Sequence, residues 1–480
     1  MTDDTNPRAR ATGALAEIFL EAAASAGDFG SFEREALRAG HACMAEAIGI
    51  APEALDARLL ARKRRGLRVH DVRTRTLATE VGDVAFSIRR FRDEFGRDVY
   101  PLADRLDIPY GRRISPGAAE FLVEAAERVS YAKASAPLAR NGSKVSPAAV
   151  MGCVREAGAL CAEQDEAAAR SLYADGVLPG GAEACEELCV EADGTYFSTQ
   201  KCPPGTPRRV EVKAMVAYAG KEGRGGKVRR RGCVRHALVG GPGELWSQGV
   251  AAVGERCDLA KVRRVRLGAD GEPWCGGAGR YFPLAETAFR LDPFHVNRAV
   301  MACLPDRRMA WSVIDVINDG GEAEAVALLR ACLDLGVANA GRAGAVIRYL
   351  EGNAGAIAVD GPSLGTMESE NQHLYGARMD CWPCAWSLRG ASDMARLISR
   401  RASGRAVPRM TRERSEGGRR RERRERKELA FHERRGLGAG SVLQSAGKGY
   451  LPPHQADMRR MDPGKAYALR KGMANLDRGI

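Results

Sequence analysis

The chain has 480 residues, enough for two or three domains, and its 45% hydrophobic and 28% charged residues are typical of globular proteins, which excludes wholesale disorder. The formal net charge of +13 favours a polyanionic partner such as nucleic acid, although a basic protein without such a partner would carry the same charge. The polar, acidic N-terminus is unlike a secretory signal, and no apolar run approaches the ~18 residues of a membrane span, so we expect a soluble, cytoplasmic protein with no membrane partner.

The first 112 residues are predicted to be helical and then extended. From about residue 11 to 65 the chain is rich in Ala, Leu, Glu and Arg, with an apolar spacing that predicts helices. The stretch LRVHDVRTRTLATEVGDVAFSIRRFRDEFGRDVYP then alternates β-branched and basic residues around a Gly-Asp turn, which predicts a β-ribbon with a basic face. Arg73 and Arg75 on this ribbon are candidate DNA contacts, and a solvated strand face is an equally good interpretation.

The next region, up to about Ala174, is predicted to contain helices that begin at Ser-Pro pairs. Ser115 and Ser146 are the predicted N-caps, each followed by proline at the first helical position. A short helix, a polar Asn-Gly turn and a second helix are compatible with a helix-turn-helix, in which Lys144 is a candidate DNA contact. An ordinary helical hairpin fits the same pattern at least as well.

The middle of the chain, between about Glu186 and Asp292, is predicted to form a mixed sheet with helices packed on it. The predicted strands are ELCVEAD, RRVEVKAMVAYAG, RGCVRHALVGG, KVRRVRLGAD and ETAFRLD. Gly/Pro/Lys-rich turns link the first three as an antiparallel meander, and ELWSQGVAAVGERCD is the helix that crosses over to the fourth. The predicted fold class is therefore mixed α/β.

The last third is predicted to be helical and then strongly basic. Residues from about Pro305 to Glu351 follow a helical pattern. From Arg405 to Arg435 there are thirteen Lys and Arg and six Glu, a net charge of +7, which is typical of a solvated helix or a disordered arm that holds phosphates. Much of the charge of the chain therefore lies in a tail, where Arg420 and Arg424 are candidate DNA contacts.

The thirteen cysteines are scattered and odd in number, which favours a reducing compartment over a disulfide framework. The close pairs Cys185/Cys189 and Cys381/Cys384 lack the second pair or the finger-spaced histidines of a zinc module. We interpret them as buried or inert thiols.

Three acids stand out by position: Asp193 ends the first predicted strand, Asp270 ends the fourth, and Glu368 begins a later helix. Carboxylates beside glycines at strand ends suit a hard-cation site, and three of them from separate elements are what two-metal phosphoryl chemistry requires. Each Asp-Gly pair taken alone is typical of an ordinary turn. The order of strands, helices and acids nevertheless suits a ribonuclease-H-like core, with its first acid on the first strand, its second after the fourth and its third on a later helix.

Several longer stretches of the sequence, taken together, resemble one known protein family. They are LLARKRRGLRVHDVRTRTLATEVGDVAFSIRRFRD, RVSYAKASAPLA, EADGTYF, GADGEPW, YFPLAETAFRLDPFHVNRAV, GTMESENQHLYGARM and AWSLRGASDMARL. In this order and spacing, over roughly residues 55 to 400, the sequence resembles the ISLre-type insertion-sequence transposases, a bacterial group related to the Mutator-like DDE transposases. Within it, Asp292 and His295 resemble the Asp/Cys-x-x-His element of the Mutator-like enzymes.

The resemblance implies that Asp193, Asp270 and Glu368 hold two Mg²⁺ (or Mn²⁺) ions, and that a helical insertion precedes the Glu368 helix. In the implied reaction a water and then a terminal 3′-hydroxyl attack DNA phosphodiesters in line, assisted by the two ions. His295 is a candidate catalytic residue that orients the scissile phosphate or polarises a metal-bound water, and a core histidine beside Asp292 is the competing interpretation. The implied partners are double-stranded transposon ends, target DNA and, on synapsis, further copies of the chain, which implies nucleoid association.

Glu368 is preferred to Glu370 because residues two apart on a helix point about 200° away from each other, and the family acid directly follows GTM. We expect Glu370 to face solvent or to form a local salt bridge. Arg298, Arg378 and Arg389 are further candidate phosphate contacts.

The predicted domains are a helical region (1–66), a β-ribbon (67–112), a helical DNA-binding region (113–178), the ribonuclease-H-like core (179–304 and 361–403) with a helical insertion (305–360), and a basic, partly disordered tail (404–480). The predicted function is that of a DDE transposase. A catalytically silent DNA-binding relative and a structure-specific nuclease of the same fold are the alternatives.

Overall fold

The computed structural model describes residues 6–62, 66–200, 208–224, 227–282, 284–357, 364–380 and 384–415. These residues form two compact units, one drawn from 6–157 and 408–415 and the other from 158–407. Both α-helices and strands are present, and the predicted mixed α/β class is confirmed. None of the described helices is long and apolar enough to cross a membrane. Arg420, Arg424 and Cys381, and most of the predicted tail, lie outside the described residues.

The first unit begins with the predicted helices, which are α1 (Pro7–Ser25) and α2 (Phe29–Ala61). Side-chain caps explain where they start. The Asn6 carboxamide oxygen accepts a hydrogen bond from the Arg8 amide, and Asp28 and Ser31 cap α2 reciprocally.

The predicted β-ribbon consists of the antiparallel strands β1 (Arg68–Thr79) and β2 (Gly82–Arg92), and β3 (Asp98–Val99) pairs with β2. The turn is formed by residues 80 and 81, so the predicted Gly-Asp turn is wrong by two residues. Gly82 already belongs to β2, with a φ of +127°. A Cβ there would lie 2.8 Å from the Asn141 carbonyl oxygen, so both conformation and space require glycine.

Three shorter helices follow in this unit: α3 (Pro101–Arg105), α4 (Pro116–Ala126) and α5 (Tyr131–Arg140). The predicted helix starts are confirmed. The Ser115 hydroxyl accepts from the Ala118 amide at the start of α4, and the Ser146 hydroxyl accepts from the Ala149 amide at the start of α6 (Pro147–Tyr173). The first turns of α6 also belong to this unit. One face of the ribbon packs on α3 in a small apolar core.

The second unit is built on a five-stranded mixed sheet. Its strands are β4 (Glu187–Ser198), β5 (Arg209–Tyr218), β8 (Val234–Leu238), β9 (Arg264–Ala269) and β10 (Glu286–Leu291). The order is β10-β9-β4-β5-β8; β4, β9 and β10 are parallel, whereas β5 and β8 are antiparallel to their neighbours. A hairpin of β6 (Lys221–Arg224) and β7 (Lys227–Arg230) lies where the sequence predicts only a turn.

Asp193 does not end its strand, contrary to the prediction. β4 continues to Ser198, and Asp193 is paired with Ala214 of β5. An Asp-Gly pair forms a turn where the chain must reverse, but here β5 supplies backbone partners along the whole of β4. The backbone of Asp193 is therefore held by the pairing of β4 with β5 on both sides of the residue.

The predicted crossover helix is α7 (Pro242–Gly254), which lies between β8 and β9 in the chain. It is buried from Leu245 to Gly254 against the sheet. Gly249 permits this close packing, because a Cβ there would lie 2.2 Å from the Met215 sulfur. The short helix α8 (Pro273–Gly276) and a 3₁₀ turn then lead to β10.

The remaining helices follow β10. They are α9 (Pro293–Cys303), α10 (Arg307–Asn318), α11 (Glu322–Asp334), α12 (Ala340–Gly352), α13 (Met367–Glu370), α14 (Ala377–Met379) and α15 (Leu388–Ala402). Helices α9 to α12 enclose an apolar core of their own, and α10 to α12 lie within the predicted insertion (305–360). A π-helical turn, Asn371–Gly376, joins α13 to α14. Such turns often occur at functional sites.

Candidate functional site

The parallel strands place two of the predicted acids side by side. Ala192 of β4 is in register with Ala269 of β9, so Asp193 and Asp270, the residues that follow, are adjacent across neighbouring strands. Asp270 directly follows the end of β9, and its carboxylate accepts a hydrogen bond from the Glu272 amide at 2.9 Å. The carboxyl ends of parallel strands are a common location for ligands in α/β sheets.

The third parallel strand extends this row. The Asp292 amide, just after β10, donates to the Ala269 carbonyl at 2.7 Å. Asp292 is buried and caps α9, because its carboxylate accepts from the Phe294 amide at 2.9 Å. Its neighbour three residues on, His295, lies in the first turn of α9 and is half-buried.

Asp193, His295 and Glu368 are brought together. One carboxylate oxygen of Asp193, one of Glu368 and a ring nitrogen of His295 all lie within 4.8 Å of one another. His295 therefore faces the two acids, which favours the site interpretation over that of a core histidine. Asp270 lies outside this group but close enough for its charge to affect Asp193.

Burial and neighbouring acids both disfavour the ionised form of Asp193, and burial is the larger cause. Burial raises the pKa of Asp193 to about 6. His295 and the Gly194 amide oppose this increase, whereas the negative charges of Asp270 and Glu368 add to it. A raised pKa means that the surroundings of Asp193 disfavour its ionised form. A cation bound at the site would stabilise that form.

Glu370 is directed away from the group, as the helical geometry predicted, but it does not face solvent. It is 7% exposed, and its carboxylate accepts from Arg235 at 2.6 and 3.0 Å. Arg230 binds the same carboxylate. The predicted solvent exposure is wrong, because β7 and β8 bring two arginines to this side of α13. Glu370 does form salt bridges, but they are not local as predicted, since Arg230 and Arg235 are 140 and 135 positions away in the chain.

The sequence patterns did not identify two buried polar residues of this region, Asn371 and Glu191. Asn371, the first residue of the π-helical turn, is buried and donates from its side-chain amide to Asp193 at 2.8 Å. Glu191 precedes Asp193 by two positions and is also buried. A strand places residues i and i+2 on one face, so the signal for Glu191 was an acid in an otherwise apolar strand, on the face of Asp193. The signal for Asn371 was weaker, a polar residue one turn after Glu368.

The candidate DNA contacts of the first unit differ in accessibility. Lys144 is exposed. Arg73 is exposed and is hydrogen-bonded to Asp71 at 3.3 Å. Arg75 is half-buried and donates to the Pro109 and Arg112 carbonyls at 2.8 and 2.9 Å. These bonds give Arg75 a structural role that competes with the predicted DNA contact.

The candidate DNA contacts of the second unit also differ in their exposure to solvent. Arg298 is exposed on α9, three residues after His295 and thus on nearly the same helical face. Arg389 is exposed near the start of α15, with Asp393 at 3.6 Å. Arg378 is 4% exposed, and its guanidinium lies 4.9 Å over the Trp386 ring, which argues against the predicted phosphate contact.

The residues present fit a hard divalent cation. The carboxylates of Asp193 and Glu368 offer the oxygen ligands that Mg²⁺ and Mn²⁺ prefer, His295 adds a nitrogen that Mn²⁺ accepts, and Asp270 lies beside them at the end of the neighbouring strand. The side-chain oxygen of Asn371 is a further buried acceptor, with no hydrogen-bond partner among the described residues. Cys185 and Cys189 are buried as predicted, and among the described residues Asp193, His295 and Glu368 are the one candidate metal-binding group.

Comparison with curated proteins finds no match. The model of one family, described as an uncharacterised protein family (UPF0236), matches residues 29–415. The match covers most of the chain and includes every residue of the group around Asp193. The chain therefore belongs to the uncharacterised protein family UPF0236.

Proposed function

We propose that the chain is a DDE transposase of the ISLre type, which cleaves DNA at the inverted-repeat ends of an insertion sequence and joins the freed strands to target DNA. The observation that carries the proposal is the convergence of acids from separate elements. Asp193 and Asp270 are adjacent across β4 and β9, and Glu368 approaches Asp193 from α13. Two-metal phosphodiester chemistry requires such a set.

The order of elements supports a ribonuclease-H-like core. The antiparallel strands β4, β5 and β8 come first, and α7 then leads to β9, which is parallel to β4. The first acid lies on the first strand, the second directly after the fourth, and the third on a helix beyond the helical insertion. This is the arrangement that the resemblance to ISLre-type transposases implies.

Each residue of the group has a role in this proposal. Asp193, Asp270 and Glu368 would hold two Mg²⁺ or Mn²⁺ ions, which when bound supply Lewis acidity for the attacking hydroxyl and the leaving oxygen. The Asn371 amide orients one Asp193 oxygen. His295 lies where its ring can hydrogen-bond a phosphate oxygen beside the acids, and Arg298 contacts the DNA backbone. The partners are double-stranded transposon ends and target DNA, with at least two copies of the chain on synapsis.

The test is cleavage of a labelled duplex that carries the flanking ends of the gene. We expect the wild type to nick and join this DNA only with Mg²⁺ or Mn²⁺, and Asp193→Ala to give no product above background. The physical reason is that alanine removes a ligand from the centre of the group while β4 remains paired along its length. Products are resolved on denaturing gels.

The control is Asp334→Ala, which removes an exposed carboxylate at the end of α11 and should retain wild-type activity. Metal-independent cleavage, or full activity of Asp193→Ala, would contradict the proposal. Salt-sensitive DNA binding without cleavage by either protein would identify a silent DNA-binding relative. Cleavage without joining would identify a nuclease.

A further inference from the structure

Glu191 is a buried acid that makes an unusually complete set of hydrogen bonds. It is 1% exposed on β4. One carboxylate oxygen accepts from the backbone amides of Gly365 and Thr366 at 2.7 and 2.6 Å. The other accepts from the Thr366 and Tyr218 hydroxyls, both at 2.6 Å. A charged acceptor with four donors is a strong anchor, and three of these donors belong to the segment that precedes Glu368.

The surroundings of Glu191 are shaped to receive this segment. Gly268 of β9 is in register with Glu191, and a Cβ at Gly268 would lie 2.8 Å from the Leu364 side chain. Gly365 has a φ of +104°, a conformation that favours glycine, and its ideal Cβ position lies 3.2 Å from an Asp292 oxygen. The segment that contains Leu364 and Gly365 therefore packs closely on β9 and is held there by Glu191.

The far side of the same helical turn is also fixed. Glu370 is held by Arg230 and Arg235, and Arg230 donates to the Thr366 hydroxyl at 3.1 Å. Glu368 lies between these two anchors. Its distance to Asp193 is therefore set by Glu191 on one side and by the arginines on the other.

We infer that Glu191 is a positioning residue, which fixes the approach of Glu368 to Asp193 and thereby sets the affinity of the site for a divalent cation. This inference rests on the proposed function only in taking the group around Asp193 as a metal site. Glu191 acts through the backbone of residues 365 and 366 and is not itself a ligand. Residues that orient metal ligands typically change metal affinity 10- to 100-fold when they are replaced.

The experiment is Mn²⁺ titration of the full-length chain, with free Mn²⁺ measured by electron paramagnetic resonance. We expect Glu191→Ala to bind Mn²⁺ about 10- to 100-fold more weakly than the wild type. Glu191→Gln should stay within about threefold, because its carbonyl oxygen can still accept from the two backbone amides while its NH₂ group faces the two hydroxyls. The matched control is Glu187→Ala on the same strand, whose carboxylate pairs with Arg266 and should not affect binding.

The outcomes separate the possible causes. Wild-type affinity in Glu191→Ala would overturn the inference, and so would equal losses in the alanine and glutamine variants, because these would indicate a charge effect rather than positioning. If Glu191→Ala does not fold, Thr366→Val decides: about threefold weaker binding supports the inference, and unchanged binding overturns it. Absence of Mn²⁺ binding by the folded wild type would instead overturn the proposed function.

Discussion

Asp165→Asn is expected to lower the free energy of unfolding of the second unit by about 3–5 kcal/mol. The Asp165 side chain, on α6, is fully buried. Its carboxylate contacts Arg396 and Arg405 at 3.2 Å each and lies 3.6 Å from Arg400. Asparagine keeps the shape but removes the charge, so three largely buried guanidinium groups lose a shared anion. Removing one member of a buried ionic network is costly because the remaining charges stay desolvated.

The ionic network around Asp165 connects three helices of the second unit, so its loss should destabilise more than one helix. Arg396 of α15 also donates to Gln248 and Glu244 of α7, at 2.6 and 2.9 Å. Helix α15 is therefore held to α6 and α7 by charged and polar contacts. Burial lowers the pKa of the neighbouring His236 to about 3, so this imidazole is neutral near pH 7 and adds no further positive charge.

The measurement is urea unfolding followed by tryptophan fluorescence. All five tryptophans lie between residues 246 and 386, so the signal reports the second unit alone. Glu163→Gln, an exposed position on the same helix, is the matched control and should change stability by less than about 0.5 kcal/mol. A change below about 1 kcal/mol in Asp165→Asn would show that Glu244 and Glu255 suffice to balance the arginines.

The features that the sequence predicts well are those fixed by neighbours in the chain. The helices after Ser115 and Ser146 begin where predicted, because an N-cap and a following proline act within one turn. Apolar runs bounded by turn residues likewise predict the strands of the sheet and the crossover helix α7. Adjacent parallel strands then bring Asp193 and Asp270 together, although Asp193 lies within β4 and only Asp270 follows the end of its strand as predicted.

What the sequence does not predict depends on distant partners. Whether β4 stops at Asp193 or continues to Ser198 is decided by β5, which supplies its hydrogen bonds. Glu370 is buried because Arg235, 135 positions away, lies beside it. Glu191 is anchored by donors about 175 positions later in the chain. Buried charges of this kind cannot be distinguished from surface charges by local pattern, because burial is a property of the assembled sheet.

Asp193→Asn is expected to stabilise the metal-free chain by about 2 kcal/mol at pH 8. Burial raises the pKa of Asp193 from 3.8 to about 6, a difference that corresponds to roughly 3 kcal/mol. Asparagine recovers most of this energy, because its oxygen still accepts from the Gly194 amide and its NH₂ group can donate to the unpaired Asn371 oxygen once that amide rotates. The same substitution removes a ligand, so stability and function are opposed at this position.

The sign of the pH dependence follows from linkage. The folded state binds the Asp193 proton more tightly than the unfolded state, so wild-type stability falls as the pH rises from about 4 to about 6. Asp193→Asn lacks this dependence, and its advantage should be small at pH 4.5 and complete at pH 8. Tryptophan-monitored urea unfolding in EDTA at both pH values measures it, with Asp334→Asn as the exposed control.

Adding Mn²⁺ should reverse the order of the two proteins at pH 8. At a hundredfold excess over its dissociation constant, a ligand of the folded state adds about 2.7 kcal/mol of stability, which the wild type gains and Asp193→Asn largely does not. An Asp193→Asn chain that is no more stable than the wild type in EDTA would mean that the ionised Asp193 carries no electrostatic cost. If the order instead reverses on addition of Mn²⁺, the burial of the Asp193 charge, together with its repulsion by Asp270 and Glu368, is a cost that a bound cation removes.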